Sequence, residues 1–361
     1  LMIGVVSSLF TAVFMSRLFI EHFAKKDENM KFGNKLTEHF LEKVHIDFIG
    51  KKKIYYILSS AVILISICSF AVRGLSWGID FTGGQVFVVR FQQPVSSVDI
   101  QNSLLAQFEE ANVEVKTYGT DNQVRIATNY GLKNTGENAQ EEIETKLYEG
   151  VKAFLPENVD REEFLSDYRM SSQKVGPTIA DDIKESATIA IILSLVVMFL
   201  YILIRFKNWQ YGLGATAALA HDTLIVLGIF SLFSSLLPFS MEIDQSFIAA
   251  ILTIVGYSIN DTVVIFDRVR EYNTLYSKRD RLMNINDAIN STLSRTFSTS
   301  MSTFVVLLAI FCFGGESIRG FVFALLIGVI VGTYSSMCVA PNIAYEIQNA
   351  QDRRRAKKAE K

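Results

Sequence analysis

The sequence predicts a polytopic α-helical membrane protein with about seven transmembrane helices and one exported α+β domain. Three observations predict this class. Half of the 361 residues are hydrophobic and 20% are charged, against about 25% charged residues in an average soluble domain. Seven apolar runs recur along the chain, each long enough to cross a bilayer core of about 30 Å as a helix. Between the second and third runs, residues 73–186 show the mixed polar pattern of a water-exposed domain.

The apolar runs also predict the domain organisation. They lie at residues 1–20, 54–72, 187–205, 212–237, 245–266, 293–314 and 319–343. We expect a first membrane helix at 1–20, a cytoplasmic linker at 21–53, a second membrane helix at 54–72, a five-helix bundle at 187–345 and a basic cytoplasmic tail at 346–361. Because the chain starts inside an apolar run without the charged segment of a signal peptide, we expect a fragment of something longer.

Lysine and arginine counts in the connections predict which helix ends face the cytoplasm. The linker 21–53 carries eight lysines, and the connections after the third and fifth runs and the tail 346–361 are also basic. The loop 238–244 contains neither lysine nor arginine. We therefore expect the basic connections and the C terminus in the cytoplasm, and residues 73–186 on the exported side.

Charge, cysteine content and motifs exclude several functions. The formal net charge is −2, from 35 basic and 37 acidic residues, so no overall basic field attracts nucleic acid. The cysteines, Cys68, Cys312 and Cys338, all lie in apolar runs, which argues against disulfides and a zinc site. Residues 73–186 contain no HExxH, phosphate loop or nucleophile and base pair. We therefore expect no enzyme activity, cofactor or metal.

The polar stretch has the pattern of a small mixed domain. We expect strands at 85–91, 113–118, 123–127 and 164–172, helices at 98–111 and 141–154, and a turn at 119–122. The order β-α-β-β-α-β is that of the split βαβ, or ferredoxin-like, arrangement. This domain is therefore expected to bind a partner or to couple motion mechanically.

Two backbone breaks bracket this domain. Gly83 and Gly84 follow the second apolar run, and glycine permits backbone angles that are forbidden to other residues. Gly176 and Pro177 precede the third run, and proline disfavours helix at the residue before it. We predict that both breaks are hinges between the domain and the membrane helices; the alternative is that they are ordinary turns.

An ionisable group at membrane depth occurs in the fifth run. Asp261 lies seven residues before Arg268, or about 10 Å along a helix, and therefore lies inside the hydrocarbon. Thr253, Tyr257 and Asp261 recur at helical spacing with Asn260 beside them, which forms a polar stripe. Because an intramembrane charge costs at least about 2.5 kcal/mol, we predict that Asp261 takes up and releases a proton with Asn260 nearby. The alternative is an aspartate that only packs helices together.

Arg295 is the predicted partner of Asp261. The apolar run 301–313 spans only about 20 Å, so its helix must extend back through the polar stretch 292–300 to cross the bilayer. Arg295 would then lie at about the depth of Asp261. The alternative is that its side chain extends to the lipid headgroups.

His221 and Asp222 form a third ionisable site, near the middle of the fourth run. Adjacent positions point about 100° apart on a helix, so we expect the two side chains to face different partners. One of them would serve a proton path and the other would fix the packing. A buried histidine that is only hydrogen-bonded in the core is the alternative.

Six stretches carry a family resemblance. They lie at 77–84, 175–178, 220–222, 254–268, 293–300 and 332–336. The most specific is the run Gly-Tyr-Ser-Ile-Asn-Asp-Thr-Val-Val within 254–268. Through these stretches, residues 46–347 resemble the SecF family of bacterial protein-export membrane proteins, within the resistance-nodulation-division superfamily. Residues 1–20 look like the last membrane helix of SecD, so the resemblance implies the C-terminal part of a fused SecD-SecF protein.

The resemblance implies a function and partners. It implies six SecF helices, an exported ferredoxin-like domain, and assistance to the SecYEG translocon by proton flow in the bacterial cytoplasmic (inner) membrane. It identifies Asp261 with the family's proton-linked carboxylate and Arg295 with the arginine that acts with it. The implied partners are a SecD-like half of the same chain, SecYEG, the unfolded polypeptide in transit and protons, with YidC and YajC as further candidates.

The resulting hypothesis is an accessory subunit that uses the proton motive force to assist late translocation. Protonation of Asp261 would weaken its pairing with Arg295, and the two hinges would transmit the helix shift to the exported domain. Two alternatives are a proton-coupled exporter of small molecules or lipids from the same superfamily, and a passive scaffold of the translocon.

Overall fold

The computed structural model describes residues 6–7, 9–24, 41, 44–108, 111, 113–131, 139–234, 236–237 and 239–359. The chain divides into two units, Leu1–His45 and Ile46–Lys361. In the first unit, a π-helical turn at Phe10–Met15 leads directly into helix α1 (Ser16–Ala24). The predicted linker 21–53 lies largely outside the described residues, as does the start of the predicted span 1–20.

The second unit combines long helices with one sheet. In chain order it contains α2 (Lys52–Arg73), β1 (Gly84–Arg90), α3 (Ser97–Gln107), β2 (Val113–Tyr118), β3 (Thr120–Thr128), α4 (Ala139–Val151), β4 (Arg169–Val175), α5 (Pro177–Phe206), α6 (Trp209–Phe233), α7 (Gln245–Leu275), α8 (Arg281–Phe313), α9 (Glu316–Cys338) and α10 (Ala340–Ala359). Among the described residues, six helical segments are long and apolar enough to cross a membrane: α2, α5, α6, α7, α8 and the α9–α10 pair. They coincide with the second to seventh apolar runs.

Three helices extend well past the predicted spans: α5 and α8 at their starts, and α7 at its end. Helix α5 begins at Pro177, whose missing N–H and fixed φ suit the first helical position. Asp244 caps α7 by accepting from the Phe247 amide at 2.7 Å, and Asp280 caps α8 by accepting from the Leu282 amide at 3.2 Å. The boundary predicted at residue 187 therefore falls inside one continuous helix.

Helix α2 packs on α6 through small residues. The buried residues of α2 are Ser59, Ser66 and Ser69. A Cβ on Gly228 of α6 would collide with Ser66, and the hydroxyls of Ser69 and Ser231 are 2.8 Å apart. Small side chains allow membrane helices to approach closely, so this face of α2 is buried against protein and its apolar faces remain outside.

The strands form an antiparallel sheet of order β2-β3-β1-β4, with α3 and α4 packed against one face. The chain order of these strands and helices is the predicted β-α-β-β-α-β. Alternate residues of the central strands, including Phe87, Val89, Val124 and Ile126, are buried against Leu104 and other helix residues. The opposite face of the sheet packs against the start of α5 through Val86, Ala127 and Ala180.

Three details of the predicted domain are wrong. Strand β3 begins at Thr120 rather than 123, because Gly119 reverses the chain with φ +82° and no four-residue turn is needed. The predicted strand 164–172 begins only at Arg169, because Phe164 and Tyr168 lie on a helical turn that buries both rings in the domain core. The predicted helix 98–111 already ends at Gln107.

Both predicted hinges lie in one packed junction. Gly83 and Gly84 have φ +69° and +146°, and a Cβ on Gly84 would lie 2.7 Å from the Thr128 carbonyl oxygen. Gly176 is extended, with φ −73°, and Pro177 begins α5. Both breaks flank one buried cluster, formed by Ile79, Val86, Ala127, Val175 and Ala180. The junction requires glycine at 83 and 84, and hinge motion stays a prediction.

Candidate functional site

Asp261 of α7 is buried between three helices. Its side chain is 4% exposed. The Ser300 hydroxyl of α8 lies 3.4 Å from Oδ2 of Asp261 and 2.6 Å from Oγ1 of Thr333 on α9, and the Thr333 hydroxyl also has the Val329 carbonyl as an acceptor at 2.7 Å. The carboxylate therefore ends a short chain of hydroxyls that joins α7, α8 and α9.

Arg295 does not contact Asp261 directly. No ion pair within 4.0 Å joins the two side chains in the described part of the chain, and Arg295 is exposed on α8. Its charge still acts on Asp261 over a longer distance. The direct pairing expected from the sequence is therefore not formed in this conformation.

Arg295 instead lines an open polar cavity of about 790 Å³ at one end of α7 and α8. The cavity is also lined by Arg205 and Asp267, which form an ion pair at 2.8 Å. It reaches Val264, which lies three residues, or about 4.5 Å of helix, from Asp261. Water in this cavity would therefore come within one helical turn of the buried carboxylate.

Asn260 faces away from this site. It is exposed on α7 and makes no hydrogen bond to the described residues, and Gly256 one turn earlier faces open space. Successive helix positions point about 100° apart, so Asp261 turns inward when Asn260 turns outward. The single stripe predicted from the sequence is therefore divided between two surfaces.

His221 and Asp222 form a second buried polar cluster between α2, α6, α7 and α9. Their side chains are 5% and 1% exposed. Oδ2 of Asp222 accepts hydrogen bonds from Ser258 of α7 at 2.8 Å and Ser335 of α9 at 2.7 Å. Nε2 of His221 lies 3.1 Å from the Ser59 hydroxyl of α2. As expected, the two side chains face different partners.

The two side chains also contact each other, which the sequence did not predict. Nδ1 of His221 lies 2.9 Å from Oδ1 of Asp222. A neighbouring chain of bonds runs from Ser59 to the Tyr334 hydroxyl at 3.1 Å, and from that hydroxyl to the Tyr55 carbonyl oxygen at 3.1 Å.

The number of hydrogens in this chain of bonds shows how many protons His221 and Asp222 hold together. Tyr334 donates its only hydroxyl hydrogen to a carbonyl, so Ser59 donates to Tyr334 and His221 donates through Nε2 to Ser59. One further proton then lies between His221 and Asp222. All these bonds are satisfied when the pair is neutral overall, as an imidazolium with a carboxylate or as an imidazole with a carboxylic acid.

Sequence reasoning missed the hydroxyls that connect these groups. Thr333 points to the Asp261 site, while Tyr334 and Ser335 reach His221 and Asp222 from the same turn of α9. The available signal was the row of hydroxyl residues inside an apolar run, because a buried hydroxyl in a membrane helix needs a partner. Among the described residues, no group of three or more potential metal ligands occurs.

The fold and these clusters define a class of protein: a multi-pass helical membrane protein with ionisable groups buried between its helices and one α+β domain inserted in the chain. Residues 158–350 match the family described as "Protein export membrane protein SecD/SecF, C-terminal", and residues 69–95 match the "SecD/SecF GG Motif". The chain belongs to this SecD/SecF family.

Individual relatives place the chain on the SecF side of that family. The protein translocase subunit SecF of Rhodothermus marinus is 41% identical over 316 residues, which cover 87% of this chain and 97% of that protein. SecF of Haemophilus influenzae is 37% identical over 339 residues, 92% of this chain and 94% of that protein.

Solved structures show the same fold. The crystal structure of SecDF, a translocon-associated membrane protein from Thermus thermophilus, matches with a TM-score of 0.78 and 29% identity over 96% of this chain. SecDF in a super-membrane-facing form matches with a TM-score of 0.65. This chain spans less than half of the SecDF chain, 44% in the first comparison.

Proposed function

We propose that this protein is an accessory subunit of the Sec protein-export machinery that uses the proton motive force to assist late translocation of polypeptides. The observation that carries the proposal is the burial of Asp261 between α7, α8 and α9, one helical turn from an open polar cavity. The SecF relatives supply the cellular process, since they are named as protein translocase subunits.

The environment of Asp261 suits proton uptake and release. An ionised carboxylate inside hydrocarbon costs at least about 2.5 kcal/mol, and protonation removes that cost. The Ser300 hydroxyl can donate to the carboxylate or accept from the carboxylic acid, so one hydrogen bond persists in both states. One charge moved across 100 mV supplies about 2.3 kcal/mol, which matches the cost.

Protonation would move the helices by changing two interactions at once. It removes the long-range attraction between Asp261 and Arg295, and it reverses the donor role of the Ser300 hydroxyl. Because Thr333 joins Ser300 to α9, we expect α7, α8 and α9 to shift relative to one another. The junction at Gly83, Gly84, Gly176 and Pro177 would then carry the shift to the sheet domain.

The remaining features of the proposal concern partners and orientation. The sheet order β2-β3-β1-β4 supports a ferredoxin-like domain, which we place on the exported side of the bacterial inner membrane with the C terminus in the cytoplasm. We assign the helix ending at Ala24 to a SecD-like half of a fused chain, and SecYEG, YidC, YajC and the unfolded polypeptide as the partners. No covalent chemistry, cofactor or metal enters this mechanism.

The test is the release of a late-stage export intermediate from membrane vesicles that carry this chain with its SecD-like half. We expect Asp261→Asn and Arg295→Met to insert normally and to lose the part of release that depends on a proton gradient. Asp287→Asn, which removes a carboxylate paired with Arg279 elsewhere on α8, is the matched control and should keep it. If all three variants keep it, the protein is a passive scaffold and the proposal fails.

A further inference from the structure

A buried ion pair joins the sheet domain to the loop that starts α7. Arg125 of β3 donates from Nη1 to Oε1 of Glu242 and from Nη2 to Oε2, both at 2.9 Å. The side chains of Arg125 and Glu242 are 19% and 5% exposed. Two parallel hydrogen bonds define both distance and orientation, so this pair specifies how the domain sits on the bundle.

Other charged groups face this pair from every neighbouring element. Strand β2 contributes Glu114 and Lys116, which form an ion pair at 2.5 Å. The carboxyl groups of Glu114 and Glu242 both lie close to Arg125 and interact with each other electrostatically. Asp244 also faces Arg125, from beside a cavity of about 260 Å³ that the pair lines.

The same loop is held from its other side by the strap that connects α2 to β1. The Ile243 amide donates to the Ser76 carbonyl at 2.7 Å, and the Gly78 amide donates to the Ile243 carbonyl at 2.9 Å. Asp80 accepts from the Gln245 amide at 3.0 Å. The loop therefore lies between the strap and β3.

This loop leads directly into the helix of the proposed proton site. Asp244 caps α7, and Asp261 lies on the same helix. Displacement of the sheet domain would therefore pull on the first turn of α7, and a shift of α7 would pull on Arg125.

We infer that Arg125 and Glu242 are a positioning pair that holds the sheet domain on the start of α7, and that the buried carboxyl group of Glu242 makes this hold sensitive to pH. The coupling to α7 rests on the proposed function, whereas the docking of the domain can be measured without export.

The direction of the pH effect follows from the environment of each carboxyl group. Burial, with the contact from Glu114, raises the pKa of Glu242 from 4.5 to about 7 in spite of Arg125. Burial also acts to raise the pKa of Glu114, but the neighbouring Glu242 carboxyl group and the charge of Lys116 outweigh burial and lower that pKa.

Docking therefore takes up a proton at Glu242 between pH 4.5 and 7, so it strengthens as the pH falls through this window. The docking equilibrium is expected to change by up to about tenfold per pH unit, the limit for one proton. Above pH 7, Glu242 is deprotonated in both the docked and the undocked protein, so the added stability of docking is lost.

The test measures the distance between the sheet domain and the bundle in lipid nanodiscs. Spin labels are attached through Val98→Cys on α3 and Leu236→Cys after α6, both exposed positions, with Cys68, Cys312 and Cys338 replaced by serine. We expect one narrow distance distribution at pH 5 and a second, broader population that grows toward pH 7.5.

Variants distinguish the loss of the Arg125–Glu242 pair from general damage to the fold. Arg125→Met should show the broad population at both pH values, and the exchange Arg125→Glu with Glu242→Arg should restore the narrow one. Glu242→Gln, which keeps one acceptor for Arg125 and cannot titrate, should lose the pH dependence. Arg90→Met is the matched control, since Arg90 of β1 bonds within the sheet to Gln123 at 2.9 Å.

Two results would overturn the inference. If Arg125→Met keeps the wild-type distances at pH 5 and 7.5, the ion pair does not position the domain. If Glu242→Gln keeps the wild-type pH dependence, another group binds the proton. Either result leaves the export test with Asp261→Asn unaffected, so a failure here is distinguishable from a failure of the proposed function.

Discussion

Replacement of Ser335 by alanine tests whether Asp222 is ionised in the membrane core. Ser335 is fully buried, and its hydroxyl donates to Oδ2 of Asp222 at 2.7 Å. A hydrogen bond to a charged group contributes about 1.5–3 kcal/mol in proteins, whereas hydrogen bonds between membrane helices average about 0.6 kcal/mol. Because Ser258 and His221 still bind Asp222, we expect Ser335→Ala to lower the free energy of unfolding by about 1.5 kcal/mol.

The neighbouring Ser336 is the control. It is equally buried, but its hydroxyl donates to the Thr333 carbonyl of its own helix at 3.0 Å. Reversible unfolding in mixed micelles should therefore show a cost below about 0.5 kcal/mol for Ser336→Ala, which loses only a local bond. In an Asp222→Asn background, Ser335→Ala should cost much less than in the wild type. Equal costs for the two serines, or an unchanged cost in that background, would refute an ionised Asp222.

Two further predictions concern the junction and the hydroxyl chain. Gly84→Ala should destabilise the sheet domain by about 1–3 kcal/mol in pulse proteolysis, because φ is +146° and the new Cβ would meet the Thr128 carbonyl; Gly176→Ala, in an extended and open position, should change it little. Equal effects at the two glycines would contradict the argument. Thr333→Val, which removes the hydroxyl that bonds to Ser300, should reduce gradient-dependent export several-fold without abolishing it. Full retention would exclude the hydroxyl chain from proton coupling.

The membrane helices were predictable because each has to satisfy its own backbone within one segment. Apolar length alone therefore located the runs that became α2 and α5 to α9. Their ends were less predictable, since α5 begins at Pro177 and α8 follows the capping Asp280, both at polar positions well before the apolar runs. A hydropathy pattern does not indicate where the polar residue that begins a helix lies.

The sheet domain shows where local pattern and tertiary packing disagree. The alternation that predicted a strand at 164–172 is real, but Phe164 and Tyr168 are also four residues apart, which suits one face of a helical turn. The domain core decides between the two, because it offers a buried position for both rings.

The ionisable groups show the same division. Sequence position was sufficient to single out Asp261, His221 and Asp222, since a charged or polar group inside an apolar run is costly wherever the helix points. It did not show that Asn260 faces outward or that Arg295 lies beyond ion-pair distance, because the rotation of one helix against its neighbours is a property of the packed bundle.

From sequence alone came the class of membrane protein, the order of its elements and the buried charges, because these depend on composition and periodicity along one chain. Tertiary structure alone decided which hydroxyls reach Asp261 and Asp222, and that Arg125 meets Glu242 across 117 positions of sequence. Such contacts depend on the register between helices and on how the sheet domain packs against them. Neither produces a periodic pattern in the sequence.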